Sequence, residues 1–418
     1  MKQVIKGNAI VGQSGGPTAA INATLSGIIR GVEEQMEQGG PIFSLYGMKN
    51  GIAGLLNDDI LCISDIINSD EKHKILEQTP SAVLGSCRRK LPDPLSKDPA
   101  DVALYEQIFS ILQKHDIRYF FYIGGNDSMD TVRKLSQYVE NNGKELTVIG
   151  VPKTVDNDLP CCDHAPGYGS AARYIAITAQ EILRDCACYR TPAVTVVECM
   201  GRDAGWLTAA TAVGKKVSGQ APDLIYFAER PFSMEQFFSD VEKKFQTKDA
   251  LVVAVSEGIR FADGTYVGEA NQNGVTDIFG HKYLAGAGKT LEHAIKARFG
   301  CKVRSIELSL PQRCAGHLLS SADIEESIRV GAAAVHAAAQ GVSGKMMVLL
   351  RKNSPDYVCE ISHVDVSRIA NHVRPLPDCF INAEGNHVTE ECIDHILPLI
   401  GDEMPLLREF GIPKHMIL

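Results

Sequence analysis

The chain has 418 residues, 44% hydrophobic and 22% charged, a globular composition that excludes global disorder and fibrous repeats. At about 150 residues per domain it predicts two or three domains. Lys plus Arg number 42 and Asp plus Glu 51, a formal charge of −9. That lacks the basic footprint of a nucleic-acid binder, so an anionic substrate must be drawn in by local positive charge.

The first residues, Met1 to Gly16, do not read as a secretory signal, because the apolar stretch is too short. Ala9–Gly12 predicts a buried strand end, and the segment from Pro17 a helix. Ile117–Ile123, rich in β-branched and aromatic residues, predicts a strand; after it Met129, Val132 and Leu135 recur as on one helical face. Thr147–Val151, Ala193–Glu198, Leu251–Ser256, Val303–Leu308 and Met346–Leu350 are further strands, and Asp323–Gln340 a helix. No apolar run approaches the length of a membrane span. Near-continuous apolar strands alternating with helices predict an α/β protein of two Rossmann-like three-layer domains with mostly parallel sheets. No Pro/Gly/Ser linker separates them, so they should be tightly docked, with boundaries that exchange segments. The 12 cysteines contain no CxxC pair, and Cys161–Cys162 and Cys186/Cys188 are too close to bridge each other. They read as free thiols of a reducing cytoplasm.

In open parallel sheets ligands bind beyond the carboxyl ends of the strands. Three glycine turns sit there: Gly12–Pro17 with Gly15 and Gly16, Gly124–Ser128 with Gly125, Asn126 and Asp127, and Met200-Gly201-Arg202. Glycine admits a close ligand, and a following helix start offers N–H groups to a phosphate; such turns also serve shape alone, and Asn126 or Asp127 could merely cap a helix. No GxxxxGK[ST] is present, and Gly12–Gly16 lacks the GxGxxG spacing, so neither a P-loop kinase nor a dinucleotide fold is indicated. Pro152–Asp158 (PKTVDND) follows a strand with two carboxylates and a lysine. One carboxylate could act as general base towards a hydroxyl, and Lys153 could neutralise a phosphoryl group in flight. The alternative for this composition is a solvated turn.

Gln13–Asn22 (QSGGPTAAIN), Leu84–Arg88 (LGSCR), Gly124–Ser128 (GGNDS), Pro152–Asp158, Glu198–Arg202 (ECMGR), Ser256–Gly258 (SEG) and Arg304 through Arg313 occur in this order over about three quarters of the chain. The set resembles the phosphofructokinases, most of all their pyrophosphate-dependent branch. The resemblance implies reversible phosphoryl transfer from pyrophosphate to the 1-hydroxyl of fructose 6-phosphate, assisted by Mg2+, in an interdomain cleft. It implies a donor domain of residues 1–167 plus about 312–365 and a sugar-phosphate domain of 168–311 plus about 366–418. Asp156 takes the place of the general base, with Asp158 beside it; Lys153 and Asp127 complete the catalytic set. Thr154, Val155, Met200, Gly201, Arg202 and Glu257 match the sugar-binding positions, and Arg304 and Arg313 two arginines that clamp the 6-phosphate. Gly15, Gly16, Arg88, Gly124, Gly125, Asp127 and Ser128 match donor positions, and Asn126 the metal position, where many members carry aspartate.

ATP-using members typically carry glycine at the positions of Asp127 and Lys153. A carboxylate at 127 would oppose a nucleotide α-phosphate by bulk and by charge, an effect of about 4 kcal/mol at ~4 Å and an effective dielectric of about 20. Lys153 would stabilise the departing phosphate. Leu310 stands where a sugar-phosphate histidine is common, and Ala193 where an arginine reaches into a neighbouring subunit; Arg190 is near but not aligned. A homodimer or homotetramer is implied by the resemblance; the cytoplasmic setting is expected from the cysteines, and the absence of nucleic-acid and membrane partners from the acidic charge and the short apolar runs. The alternatives are an ATP-dependent 6-phosphofructokinase, a non-catalytic sugar-phosphate-binding subunit, which the presence of Asp156 argues against, and a shift of acceptor to another ketose phosphate such as sedoheptulose 7-phosphate. The tail Pro375–Leu418 receives no role.

Overall fold

The computed structural model describes residues 5–188, 190–268 and 286–418. The principal strands are β1 (Gly7–Gln13), β2 (Ile42–Met48), β3 (Ile60–Cys62), β4 (Ile117–Gly124), β5 (Thr147–Pro152), β6 (Ala193–Cys199), β7 (Leu224–Tyr226), β8 (Ala250–Ser256), β9 (Lys302–Glu307), β10 (Lys345–Arg351) and β11 (Cys359–Asp365). The principal helices are α1 (Ile21–Glu37), α2 (Pro99–Lys114), α3 (Asn126–Asn141), α4 (Tyr168–Cys186), α5 (Met234–Phe245), α6 (Ala287–Phe299), α7 (Ser321–Ala339) and α8 (Glu390–Ile400).

Two sheets organise the chain. The larger has the order β11-β10-β5-β4-β1-β2-β3. Its interior pairs are parallel, while β3 and β11 close its edges antiparallel. The smaller, β9-β6-β8-β7, is parallel throughout. Both are covered on two faces, which is why their strands are apolar on both sides. In β1, Ala9 and Val11 face the core under α1 and α7, while Ile10 faces that under α2 and α3. In β6, Val197 and Cys199 pack towards α4 and α8, and Val194 and Val196 towards α5 and α6.

Two local features depart from expectation or bear on packing. The first helix begins at Ile21 rather than Pro17. The intervening backbone is committed elsewhere: Thr18 Oγ1 accepts from the Ala20 N–H at 3.2 Å, and the Thr18 carbonyl accepts from the Ser81 N–H at 3.1 Å. Where α1 crosses α7, a Cβ at Gly27 would run into the Ile328 carbonyl, and one at Gly331 into the Thr24 carbonyl, so the two helices meet backbone to backbone. All twelve cysteines are free thiols, and among the described residues no helix is long and apolar enough to cross a membrane.

Candidate active site

A cleft of about 470 Å³ lies between the two sheets, lined by the turns that follow β1, β4, β5, β6, β8 and β9. That size suits a small-molecule site.

The first wall is built from motif residues acting as scaffold. Gln13 hydrogen-bonds Asn22 (2.9 Å) and takes the Leu84 N–H (3.0 Å), while Asn22 reaches the Thr79 carbonyl (2.8 Å). These bonds bring 79–88 against the glycine turn. There the Gly15 N–H and Ser14 Oγ donate to the Cys87 carbonyl, and Ser86 Oγ donates to the Gly15 carbonyl at 2.6 Å. Gly15 has φ +76°, and a Cβ there would meet Lys153 Nζ at 3.4 Å; a Cβ on Gly16 would meet Arg313 Nη1 at 3.1 Å. Two cations thus press on a bare backbone.

The second wall is the start of α3. Met129 N–H bonds the Gly125 carbonyl at 3.0 Å, which leaves Asn126, Asp127 and Ser128 in the first turn. Asp127 faces the cleft and Lys90, 3.8 Å away. Asn126 Nδ2 donates to Asp158 Oδ2 at 3.1 Å, and among the described residues Asn126 Oδ1 is buried without a hydrogen-bond partner.

The third wall is Pro152–Asp158. Lys153 is only 2% exposed; its Nζ donates to the Gly16 carbonyl at 2.6 Å. Burial outweighs the pull of Asp156, and its pKa falls to about 8. Asp156 Oδ1 is buried and has no hydrogen-bond partner among the described residues. Desolvation, then the nearby Asp158, push the Asp156 pKa up to about 7 against Arg202 and Lys153. Asp158 is raised too, again chiefly by desolvation. A carboxylate near 7 has the proton affinity a general base needs at neutral pH.

The fourth wall belongs to the smaller sheet. Gly201 has φ +124°, and its N–H donates to Glu257 Oε1 at 3.2 Å. A Cβ on Gly258 would strike the Arg202 carbonyl, so the two turns are locked together. Gln312 Oε1 takes the Met200 N–H at 3.0 Å, which seats the short helix carrying Arg313. Burial and Asp156 lift the Glu257 pKa to about 8. Six cations (Arg88, Arg89, Lys90, Lys153, Arg202, Arg313) face five carboxylates (Asp127, Asp156, Asp158, Asp203, Glu257). The cleft is therefore locally positive within an acidic chain.

Of the expected residues, Gly15, Gly16, Arg88, Gly125, Asn126, Asp127, Ser128, Lys153, Thr154, Val155, Asp156, Asp158, Met200, Arg202, Glu257 and Arg313 line this cleft. Gly124 and Gly201 sit behind it and shape it: a Cβ on Gly124 would strike Ser128 Oγ, and one on Gly201 the Ala204 carbonyl. Arg304 does not join Arg313 in this cleft. It lines a separate cavity with Asp185, Ala193, Thr195 and Lys302. It stands three residues before the carboxyl end of β9, about 10 Å short of it at roughly 3.3 Å per residue. Leu310 is 56% exposed and does not line the cleft. Arg89, Lys90, Asp203, Gln312 and Asn371 were missed. The basic run Arg88-Arg89-Lys90 was a signal for two of them; Asn371, from the tail, had none.

The phosphofructokinase family profile matches residues 8–338. The chain belongs to the phosphofructokinase family. A pyrophosphate–fructose 6-phosphate 1-phosphotransferase of Halomonas elongata is 39% identical over 97% of this chain and 95% of its own. A protein of the same name from Methylococcus capsulatus is 38% identical over 98% of this chain and 96% of its own. The crystal structure of a pyrophosphate-dependent phosphofructokinase from Nitrosospira multiformis superposes with a TM-score of 0.86 at 33% identity, covering 98% of this chain and 95% of that one. The phosphofructokinase fold thus accounts for both sheets and for the cleft between them.

Proposed function

We propose that this phosphofructokinase moves a phosphoryl group reversibly between pyrophosphate and the 1-hydroxyl of fructose 6-phosphate, giving fructose 1,6-bisphosphate and phosphate. The observation that carries the donor choice is the charged pair at the glycine turns: Asp127 opening α3 beside Gly125, and Lys153 held under Gly16. Asp127 meets a nucleotide α-phosphate with like charge, whereas bare pyrophosphate ends before reaching it. The full-length relatives named for pyrophosphate support the same choice.

Asp156 takes the proton of the 1-hydroxyl as that oxygen attacks the phosphorus of the donor and the bridging P–O bond breaks. Charge leaving with phosphate is met by Lys153 and Arg88, so catalysis rests on alignment and charge stabilisation. Arg202 and Glu257 hold the sugar, and Arg313 its 6-phosphate. The residues fit Mg2+: two buried carboxamide and carboxylate oxygens, on Asn126 and Asp156, lack partners, and Asp158 faces Asn126. Such hard oxygen donors suit the ion. Asn126 and Asp158 would hold it, and when bound it draws charge from the donor oxygens.

The larger sheet carries the donor (1–167 plus about 312–365) and the smaller the sugar phosphate (168–311 plus about 366–418), with the reaction at their seam. Arg304, outside its own cleft beside Ala193, serves a 6-phosphate bound to a neighbouring copy, so the protein works as a homo-oligomer. Twelve unpaired thiols support a reducing, cytoplasmic setting.

Initial rates in both directions test the reading: pyrophosphate supports turnover and ATP does not. In the double variant Asp127→Gly/Lys153→Gly, kcat/KM for pyrophosphate should fall at least tenfold, and ATP turnover should appear. A parent enzyme preferring ATP would end the reading, and unchanged pyrophosphate kinetics in the double variant would end the gating argument.

A further inference from the structure

The stretch beyond β11 contains a segment that contacts both sheets' sides of the catalytic seam. Asn371 and Val373 line the cleft, and Asn371 Nδ2 donates to Asp130 Oδ1 of α3 at 3.2 Å. Three residues on, the Arg374 N–H donates to the Asp158 carbonyl at 2.7 Å. Its guanidinium spans the backbone of the same turn. Nη2 and Nε donate to the Asn157 carbonyl (2.9 and 3.3 Å), and Nη1 to the Asp163 carbonyl at 2.6 Å and to the Cys162 carbonyl. The other side of the guanidinium lies on the Trp206 ring, 4.5 Å from its centroid. Two residues further, the Leu376 N–H donates to Glu229 Oε1 at 2.7 Å, and the same oxygen takes the Gly205 N–H at 2.8 Å. Gly205 follows Arg202 and Asp203 of the cleft.

The turn is gripped through its backbone. Asn157, between the two carboxylates, has φ +55°, a left-handed conformation that asparagine tolerates better than other non-glycine residues and that turns the chain sharply between the two side chains. Its carbonyl is held by the Arg374 fork, and its own Oδ1 takes the Ala165 N–H at 3.0 Å. A planar guanidinium with several donors can grip three carbonyls at once while stacking on an indole; an ammonium cannot.

We propose that residues 371–376 form a strap across the seam, and that Arg374 is the positioning residue of the reaction. It holds the backbone on which Asp156 and Asp158 ride, and the strap sets that turn against the Arg202 turn of the smaller sheet. Among the described residues, the Arg374 guanidinium donates to backbone carbonyls. Its effect falls on the alignment of donor, base and sugar, where a shift of about 1 Å can cost roughly 10²-fold in rate.

The proposal rests on the phosphotransferase reading for its kinetic part, so the experiment has one arm that needs no substrate. In Arg374→Ala, amide hydrogen exchange across residues 155–163 of the free protein should quicken at least tenfold, while α1 and α7 keep the parent's protection. With substrates, kcat should fall by roughly 10²-fold with both KM values within about threefold, and millimolar guanidinium should restore part of it. Arg374→Lys, the gentler variant, should lose about tenfold in kcat at an unchanged melting temperature and gain nothing from guanidinium. Unchanged exchange in 155–163, or a kcat within twofold of the parent in either folded variant, overturns the proposal. A parent with no pyrophosphate activity but fast exchange in Arg374→Ala would instead overturn the functional reading and leave the strap standing.

Discussion

The two sides of the cleft are built on different plans. On the donor side the charges are settled within one chain: Lys153 is buried against the Gly16 carbonyl, Asp127 faces Lys90, and Ser14 and Gly15 are tied to Cys87. On the sugar side only Arg313 of the two matched phosphate arginines reaches the cleft, Arg304 lies in another cavity, and Leu310 offers no donor. On the proposed reading, donor choice is a property of the single chain, whereas full grip on the sugar phosphate belongs to the assembly.

The sharpest way to break this picture acts at the seam. Asp156→Ser should lower kcat by roughly 10²-fold or more in both directions, the range for loss of a general base, read in coupled assays; near-normal turnover removes Asp156 from that role. Next comes Arg304→Ala. A lost charge-assisted bond of about 1.5–3 kcal/mol should raise KM for fructose 6-phosphate ten- to a hundredfold and leave KM for pyrophosphate alone. Mixing and reassembling the Arg304→Ala and Asp156→Ser proteins should recover activity, because hybrid sites join an intact base to an intact Arg304. No recovery would place Arg304 at its own chain's site and dissolve the contrast.

The smallest effect is on stability and concerns the ground beneath both sides. His164 is buried between Asp163 (2.9 Å) and Glu326 (2.6 Å). Burial pulls its pKa down, but the two carboxylates outweigh it and lift the value to about 9 from 6.5. The folded state therefore holds the proton more tightly than the unfolded one. The stabilisation is complete below about pH 6.5 and fades as pH rises through about 9, a change of roughly 3 kcal/mol. Urea midpoints measured across that window should fall in the parent and stay flatter in His164→Gln; equal slopes would mean that His164 is neutral in the fold.

How much of this could be read from residues alone follows from what local sequence encodes. Apolar runs and glycine turns are local, so the strands and the cleft walls at Gly15, Gly125 and Asp156 were legible. The antiparallel edges β3 and β11 were not, because a short or half-exposed strand has no continuous apolar run. The basic run Arg88-Arg89-Lys90 was a signal for Lys90, but its pairing with Asp127, which lies on another wall, was not legible. That Arg304 leaves β9 short of this cleft was not legible, because sequence order says nothing of how far along a strand a side chain leaves it. Arg374 left no trace at all: its partners are backbone carbonyls, which every residue possesses.

The route of the chain through the two sheets has a consequence for biosynthesis. Strand β5, which leads into the catalytic turn, receives its outer neighbour β10 only from residues 345–351. A nascent chain leaving the ribosome therefore carries an open parallel edge beside Pro152–Asp158 until residues 345–351 have been made. An unpaired edge of this kind invites pairing with other chains, so translation that stalls between β9 and β10 should produce aggregates rather than a half-active enzyme.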